Sequence, residues 1–130
     1  MARIMLVDDD VELADNMAAV LRDQGHEVSI LTSAQDAVLK VAEQKPDLVI
    51  LDVMFPDNPV AGFDVARQIR RTKGIRDLPI IMLTGINQEF PMDFSGKDID
   101  SEWLPVQEFM EKPVKLPVLI KTIKRLLKSA

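Results

Sequence analysis

The chain has 130 residues, of which 47% are hydrophobic and 28% are charged, with a formal net charge of −5. This length predicts one domain over residues 1–130, large enough to bury a core without disulfides or a structural metal. The chain has no cysteine, which excludes disulfides and cysteine-based zinc sites and favours a reducing, cytoplasmic location. Its apolar runs are too short to span a membrane, and its negative charge argues against nucleic-acid binding by this domain alone.

Short apolar segments alternate along the chain with segments of helical periodicity. The apolar segments predict strands, and the periodic segments between them predict helices. Such alternation predicts an α/β fold, with a five-stranded, doubly wound parallel sheet and helices on both faces. The predicted strands are 3–7, 27–31, 47–51, 79–83 and, more weakly, 108–111, and the predicted helices are 11–23, 34–44, 62–73 and 116–128.

Five polar residues lie at the ends of these predicted strands. Asp8 and Asp9 follow the first strand, Asp52 the third, Thr84 the fourth and Lys112 the fifth. Right-handed crossovers bring the carboxyl ends of parallel strands to one edge of the sheet, where ligands bind in such folds. If the first and third strands are neighbours, three mutually repelling carboxylates meet there, and a hard divalent cation such as Mg²⁺ is their natural partner.

The same five side chains have the chemistry needed to receive a phosphoryl group. A carboxylate can act as the nucleophile, and phosphoryl transfer otherwise requires positioning and charge neutralisation, here by a metal and a lysine. A single aspartate or threonine at a strand end is more often a cap or turn residue, but the complete set favours the functional interpretation. Asp10, which follows Asp9 in the chain, lies outside this set, since its position predicts a cap for helix 11–23.

Four sequence segments then carry a resemblance to a known family. They are "LVDDD", "DLVILDVMFP", "PIIMLTG" and "FMEKP", in this order along the chain. The chain resembles the receiver domain of bacterial two-component response regulators, of the stand-alone type found in chemotaxis regulators, over essentially its whole length. The resemblance implies a flavodoxin-like strand order 2-1-3-4-5, and a protein that signals to an unknown downstream partner by a conformational switch.

The resemblance also implies a role for each site residue. Asp52 would accept a phosphoryl group from the phosphohistidine of a sensor histidine kinase or phosphotransfer protein. Asp8, Asp9 and Asp52 would bind Mg²⁺ (or Mn²⁺), together with the backbone carbonyl of Met54. The protein would therefore be a phosphoacceptor that phosphorylates and dephosphorylates itself, and would not be a turnover enzyme.

The remaining family residues lie around the fourth and fifth strands. Thr84 and Lys112 would contact the phosphoryl group, and the peptide bond between Lys112 and Pro113 would be cis. Phe109 matches the aromatic residue of the family's switch, although an ordinary buried strand residue is an equal alternative. Phosphorylation is therefore expected to move residues between Thr84 and Phe109 more than it moves the first two helices.

The segment between Thr84 and Lys112 departs from the family pattern. It is longer than in ordinary receivers, and Pro91 and Pro105 interrupt helical periodicity. We expect an irregular segment in place of a regular fourth helix. Its aromatic residues either cover the sheet or form a partner surface; they are Phe90, Phe94 and Trp103.

Three other functions compete with this interpretation. The first is a phosphorylation-independent interaction module on the same fold, which retention of all five strand-end residues disfavours. The second is a flavodoxin-like electron carrier. It would need a phosphate-binding loop after the first strand, where three aspartates would repel the phosphate. The third is a phosphoesterase with an aspartate nucleophile, which would need more chain to enclose its substrate.

Overall fold

The computed structural model describes residues 2–33, 36–52, 61–85, 108–112 and 114–129. Strands and helices alternate through these ranges, as the sequence pattern predicts. The elements are β1 (Arg3–Val7), α1 (Val11–Asp23), β2 (Glu27–Leu31), α2 (Ala37–Gln44), β3 (Leu48–Asp52), α3 (Ala61–Arg71), β4 (Ile80–Gly85), β5 (Glu108–Lys112) and α4 (Leu116–Ser129).

The five strands form one parallel sheet in the order β2-β1-β3-β4-β5, which confirms the predicted fold class. The chain passes from β1 outward to β2, and then returns to place β3 on the other side of β1. The winding therefore reverses between β1 and β3. In this register Val7 of β1 pairs with Leu51 of β3, so the residues that follow them emerge side by side.

Two hydrophobic layers cover the two faces of the sheet. Successive strand residues point to opposite faces, and both faces are buried, which explains the unbroken apolar runs. One layer packs α2 and α3 against Met5, Val49, Leu51, Ile80 and Met82. The other packs α1 and α4 against Ile4, Leu6, Ile50, Ile81 and Leu83.

Several element boundaries differ from the predicted ones by a few residues. Helix α1 has the predicted bounds, whereas α2 begins at Ala37 and not at residue 34, and α3 covers Ala61–Arg71 and not 62–73. The predicted irregular segment falls on residues 86–107, which lie outside the described ranges. Within those ranges no helix is both long and apolar enough to cross a membrane.

Candidate functional site

Three carboxylates meet where the winding of the sheet reverses. Asp8 directly follows β1, Asp52 is the last residue of β3, and these strands are neighbours. One carboxylate oxygen from each of Asp8, Asp9 and Asp52 lies within 4.8 Å of the other two. Asp8 is 0% exposed and Asp52 is 2% exposed, while Asp9 is half-buried.

Backbone groups around this cluster hold Asp8 in place. The Asp8 amide donates to the carbonyl of Leu31 in β2 at 2.9 Å, and its Oδ1 accepts a hydrogen bond from the Asp10 amide at 2.9 Å. Asp10 is the N-cap of α1, and its Oδ1 accepts from the amide of Leu13 at 3.1 Å. This confirms the capping role predicted for Asp10. The contribution of Leu31 was not predicted, because any residue type can supply a backbone carbonyl.

The donor set of the cluster fits a magnesium ion. Two unit charges about 4 Å apart repel by roughly 4 kcal/mol at an effective dielectric constant of about 20. Three carboxylates this close, two of them buried, therefore favour a bound cation. Mg²⁺ prefers oxygen ligands and commonly uses one or two carboxylates with waters and phosphate oxygens. Asp8, Asp9 and Asp52 would hold the ion.

The backbones of β4 and β5 bring two further predicted site residues to the same edge of the sheet. Thr84 follows Leu83, the residue of β4 that pairs with Asp52. Lys112 ends β5, opposite Gly85 of β4. The sheet therefore brings the backbone of each predicted strand-end residue to one edge.

The other predicted site features lie outside the described part of the structure. The structure describes the backbones of Thr84, Lys112 and Phe109 but not their side chains, and the roles of these side chains remain predictions. The Met54 carbonyl ligand, the cis peptide at Pro113 and the aromatic partner surface also remain predictions; that surface comprises Phe90, Phe94 and Trp103.

Comparison with protein families decides what kind of domain this is. The family model of the response regulator receiver domain matches residues 4–124, nearly the whole chain. The chain belongs to the response regulator receiver domain family. Receiver domains are signalling domains that interact with histidine kinases and downstream effectors, and they generally bind Mg²⁺ at an acidic cluster.

Individual relatives agree with this assignment. The receiver domain is 35% identical to the transcriptional regulatory protein AfsQ1 of Streptomyces coelicolor, over 98% of this chain and 52% of that protein. It is 31% identical to protein PilH of Pseudomonas aeruginosa, over 98% of both chains. The structure of chemotaxis protein CheY4 of Vibrio cholerae is 26% identical and superimposes with a TM-score of 0.79, over 97% of this chain and 98% of the other. The chain thus spans about half the length of AfsQ1 and nearly all of PilH and CheY4.

Proposed function

We propose that this receiver domain accepts a phosphoryl group on Asp52 from a sensor histidine kinase or a phosphotransfer protein, with Mg²⁺ held by Asp8, Asp9 and Asp52. One observation carries the proposal. The Asp52 carboxylate is buried at the carboxyl edge of the sheet, within 4.8 Å of two other carboxylates. A buried acidic cluster of this kind is suited to binding a cation. The positive charge of that cation is in turn compatible with the negative charge of a transferred phosphoryl group.

The reaction would be a displacement at phosphorus. An oxygen of Asp52 attacks the phosphorus atom of a phosphohistidine, a P–O bond forms, and the P–N bond breaks. The electron pair of that bond leaves with the imidazole nitrogen, which takes up a proton. When bound, Mg²⁺ neutralises charge on the phosphoryl oxygens. The Lys112 ammonium would add a second positive charge, and the Thr84 hydroxyl would donate to a phosphoryl oxygen.

The chain's own residues prepare Asp52 for this step. Residues 48–52 are buried throughout β3, which places Asp52 on a rigid element and leaves 2% of it exposed. Asp8 is fixed by the amides and carbonyl described above, so its carboxylate needs little reorganisation when an ion binds. A preformed site lowers the entropic cost of positioning the reactants.

The output would be a change in conformation and not a released product. An aspartyl phosphate carries roughly −1.5 to −2 charge in place of the single negative charge of the carboxylate. The change can only favour states that interact more strongly with the phosphoryl group. Thr84 and Phe109 are our candidates for the responding residues. We place this activity in a single cytoplasmic domain over 1–130, with self-phosphorylation and self-dephosphorylation as its only chemistry, no nucleic-acid binding of its own, and a downstream protein as its target.

Intact-mass measurement after incubation with Mg²⁺ and acetyl phosphate tests the proposal. We expect the native chain to gain one phosphoryl group, and expect no gain for Asp52→Ala or in the presence of EDTA. Asp15→Ala is the matched control, because Asp15 is an exposed aspartate of α1 that does not belong to the acidic cluster. This variant should be phosphorylated like the native chain.

Two results would contradict the phosphoacceptor assignment. One is an equal mass gain in Asp52→Ala, provided that circular dichroism shows both proteins folded. The other is no gain in the native chain at any donor concentration. The second result would favour the phosphorylation-independent interaction module on the same fold.

A further inference from the structure

Positive charge is concentrated in the segment that runs from α3 to β4 and ends at the amino edge of the sheet, opposite the acidic cluster. Residues 65–76 hold five cationic side chains and no acidic one, in a chain whose net charge is −5. They run from the body of α3 into the turn that leads to β4. The five residues are Arg67, Arg70, Arg71, Lys73 and Arg76.

Two of these five side chains are engaged within the fold. Arg67 pairs with Asp64 at 2.7 Å on α3. Arg70 donates from Nη1 to the carbonyls of Arg76 at 3.0 Å and Leu78 at 2.6 Å. Because one guanidinium spans two carbonyls of the turn, Arg70 fixes the backbone that carries Arg76.

Arg76 lines a cleft of about 340 Å³ between this turn and the end of α2, where Lys45 lines the other side. The floor of the cleft is apolar and buried, and it is formed by Pro46, Ile75 and Leu78. The cleft therefore combines two exposed cations with an apolar contact surface.

Both cations are available to a ligand. Among the described residues, neither Lys45 nor Arg76 forms an ion pair. Lys45 has a left-handed backbone with a φ of 46°, a conformation in which residues other than glycine are strained and which is found more often at functional sites. Gly74 has a φ of +96°, and no atom of the described residues beyond Gly74 and its two chain neighbours lies within 4 Å of the place a Cβ would occupy, so the lining is open there.

Asp77 is the acidic residue in this lining. Burial lowers the pKa of Arg70, and the charge of Asp77 opposes that effect. The charges of Asp77 and Arg70 therefore interact. The cleft lining holds two cations, Lys45 and Arg76, against the one carboxylate of Asp77.

We propose that this cleft binds a small phosphate ester, with Lys45 and Arg76 contacting the phosphate and the apolar floor contacting the organic part. A guanidinium can hold two phosphate oxygens at once, and an ammonium adds a point charge. The cleft is at the lower end of the usual volume range for small-ligand sites, about 300–1,000 Å³. A nucleoside monophosphate is a ligand of suitable chemistry.

This site is separate from the proposed phosphorylation site. Its residues precede β3 and β4, whereas Asp8 and Asp52 lie at the carboxyl ends of β1 and β3. A five-residue strand places the two edges roughly 15 Å apart. The proposal does not depend on phosphorylation of Asp52, and either assignment can fail alone.

Amide chemical shifts of the full chain, recorded by NMR with EDTA present and no Mg²⁺, test the cleft. The probes are adenosine monophosphate, inorganic phosphate and adenosine. We expect adenosine monophosphate to shift the amides of Lys45, Gly74 and Arg76 and to bind more tightly than either fragment. About 0.5 M sodium chloride should weaken binding, because it screens exposed charges.

Charge-removing variants make the test specific. Arg76→Gln and Lys45→Gln should each weaken the binding of adenosine monophosphate by about five-fold. This is the effect of losing one exposed ion pair of about 1 kcal/mol. Lys121→Gln is the matched control, since Lys121 is an exposed cation of α4 outside the cleft. This variant should bind adenosine monophosphate with unchanged affinity.

Several outcomes would overturn the proposal. They are the absence of shifts at the cleft up to the solubility limit of the probe, shifts centred on Asp8 and Asp52, an unchanged affinity in Arg76→Gln, or an equal loss in Lys121→Gln. Because the acetyl phosphate experiment reads a different site, any of these results leaves the phosphoacceptor proposal standing.

Discussion

Asp8, Asp9 and Asp10 follow one another in the chain, yet they lie in three different environments. Asp8 is fully buried, Asp9 is half-buried, and Asp10 is exposed at the start of α1. The amide of Asp10 donates to Asp8, while its side chain accepts from Leu13. The side chain of Asp10 thus stabilises the helix, and its backbone orients a residue of the acidic cluster.

This division predicts different effects of two neighbouring substitutions. Asp10→Ala removes the side-chain cap but keeps the amide that holds Asp8, so it should lower the free energy of unfolding by about 0.5–2 kcal/mol and leave phosphorylation largely intact. Asp9→Ala should abolish Mg²⁺-dependent phosphorylation. Urea denaturation measures the first effect, and intact mass after acetyl phosphate treatment measures the second.

Glu12→Ala is the control for the first effect. Glu12 is an exposed residue of the first turn of α1, and its loss should change stability less than loss of the cap. If Asp10→Ala impaired phosphorylation more than Asp9→Ala did, the division of the three aspartates would be wrong.

At the scale of the elements, sequence patterns predicted α1 better than α2. Both ends of α1 carry local signals: Asp10 caps its first turn, and Gly25 follows its last turn with a φ of 92°. Helix α2 ends at Gln44, as predicted, but its start lacks such a signal, since the Asp36 side chain makes no capping hydrogen bond. Lys45 follows the helix in a left-handed conformation without a glycine. Tertiary packing of Ala37 and Val41 sets the position of this helix, and packing cannot be predicted from local propensity.

The left-handed end of α2 gives a stability prediction. Lys45→Gly should raise the free energy of unfolding by about 0.5–1 kcal/mol. A left-handed backbone costs residues other than glycine roughly 1–2 kcal/mol, and part of this gain is offset by the greater freedom of glycine in the unfolded chain. Chemical denaturation measures the change.

Glu43→Gly provides the matched control for this prediction. Glu43 is an exposed residue within α2, where glycine should cost about 1 kcal/mol. A loss of stability in Lys45→Gly similar to that in Glu43→Gly would show that the left-handed conformation at Lys45 does not strain the native state.

At the scale of the whole molecule, the alternation of strands and helices was enough to predict the sheet and the edge at which the site lies. Strand ends are visible in the sequence because apolar runs stop at Asp8 and Asp52. The pattern alone did not determine whether β1 and β3 are neighbours, since neighbouring strands in a doubly wound sheet are not always consecutive in the chain. The structure makes them neighbours and so brings Asp8 and Asp52 together.

The clustered carboxylates make the stability of the whole domain depend on divalent cations. Mg²⁺ should raise the free energy of unfolding of the native chain, because a cation bound only by the folded state stabilises it by mass action. At a concentration ten times the Kd the gain should be about 1.4 kcal/mol. Thermal melts measured across a Mg²⁺ series, at constant ionic strength set with potassium chloride, provide the measurement.

Two variants connect this effect to the acidic cluster. Asp52→Ala removes one of three mutually repelling carboxylates, so it should reduce the Mg²⁺-induced rise in Tm. In EDTA, this substitution should lower the Tm less than truncation of a buried apolar side chain would. Asp23→Ala, at an exposed aspartate outside the cluster, should keep the full rise. A rise that is the same in all three proteins would mean that Mg²⁺ acts elsewhere on this acidic chain, and the assignment of Asp8, Asp9 and Asp52 as its ligands would then be wrong.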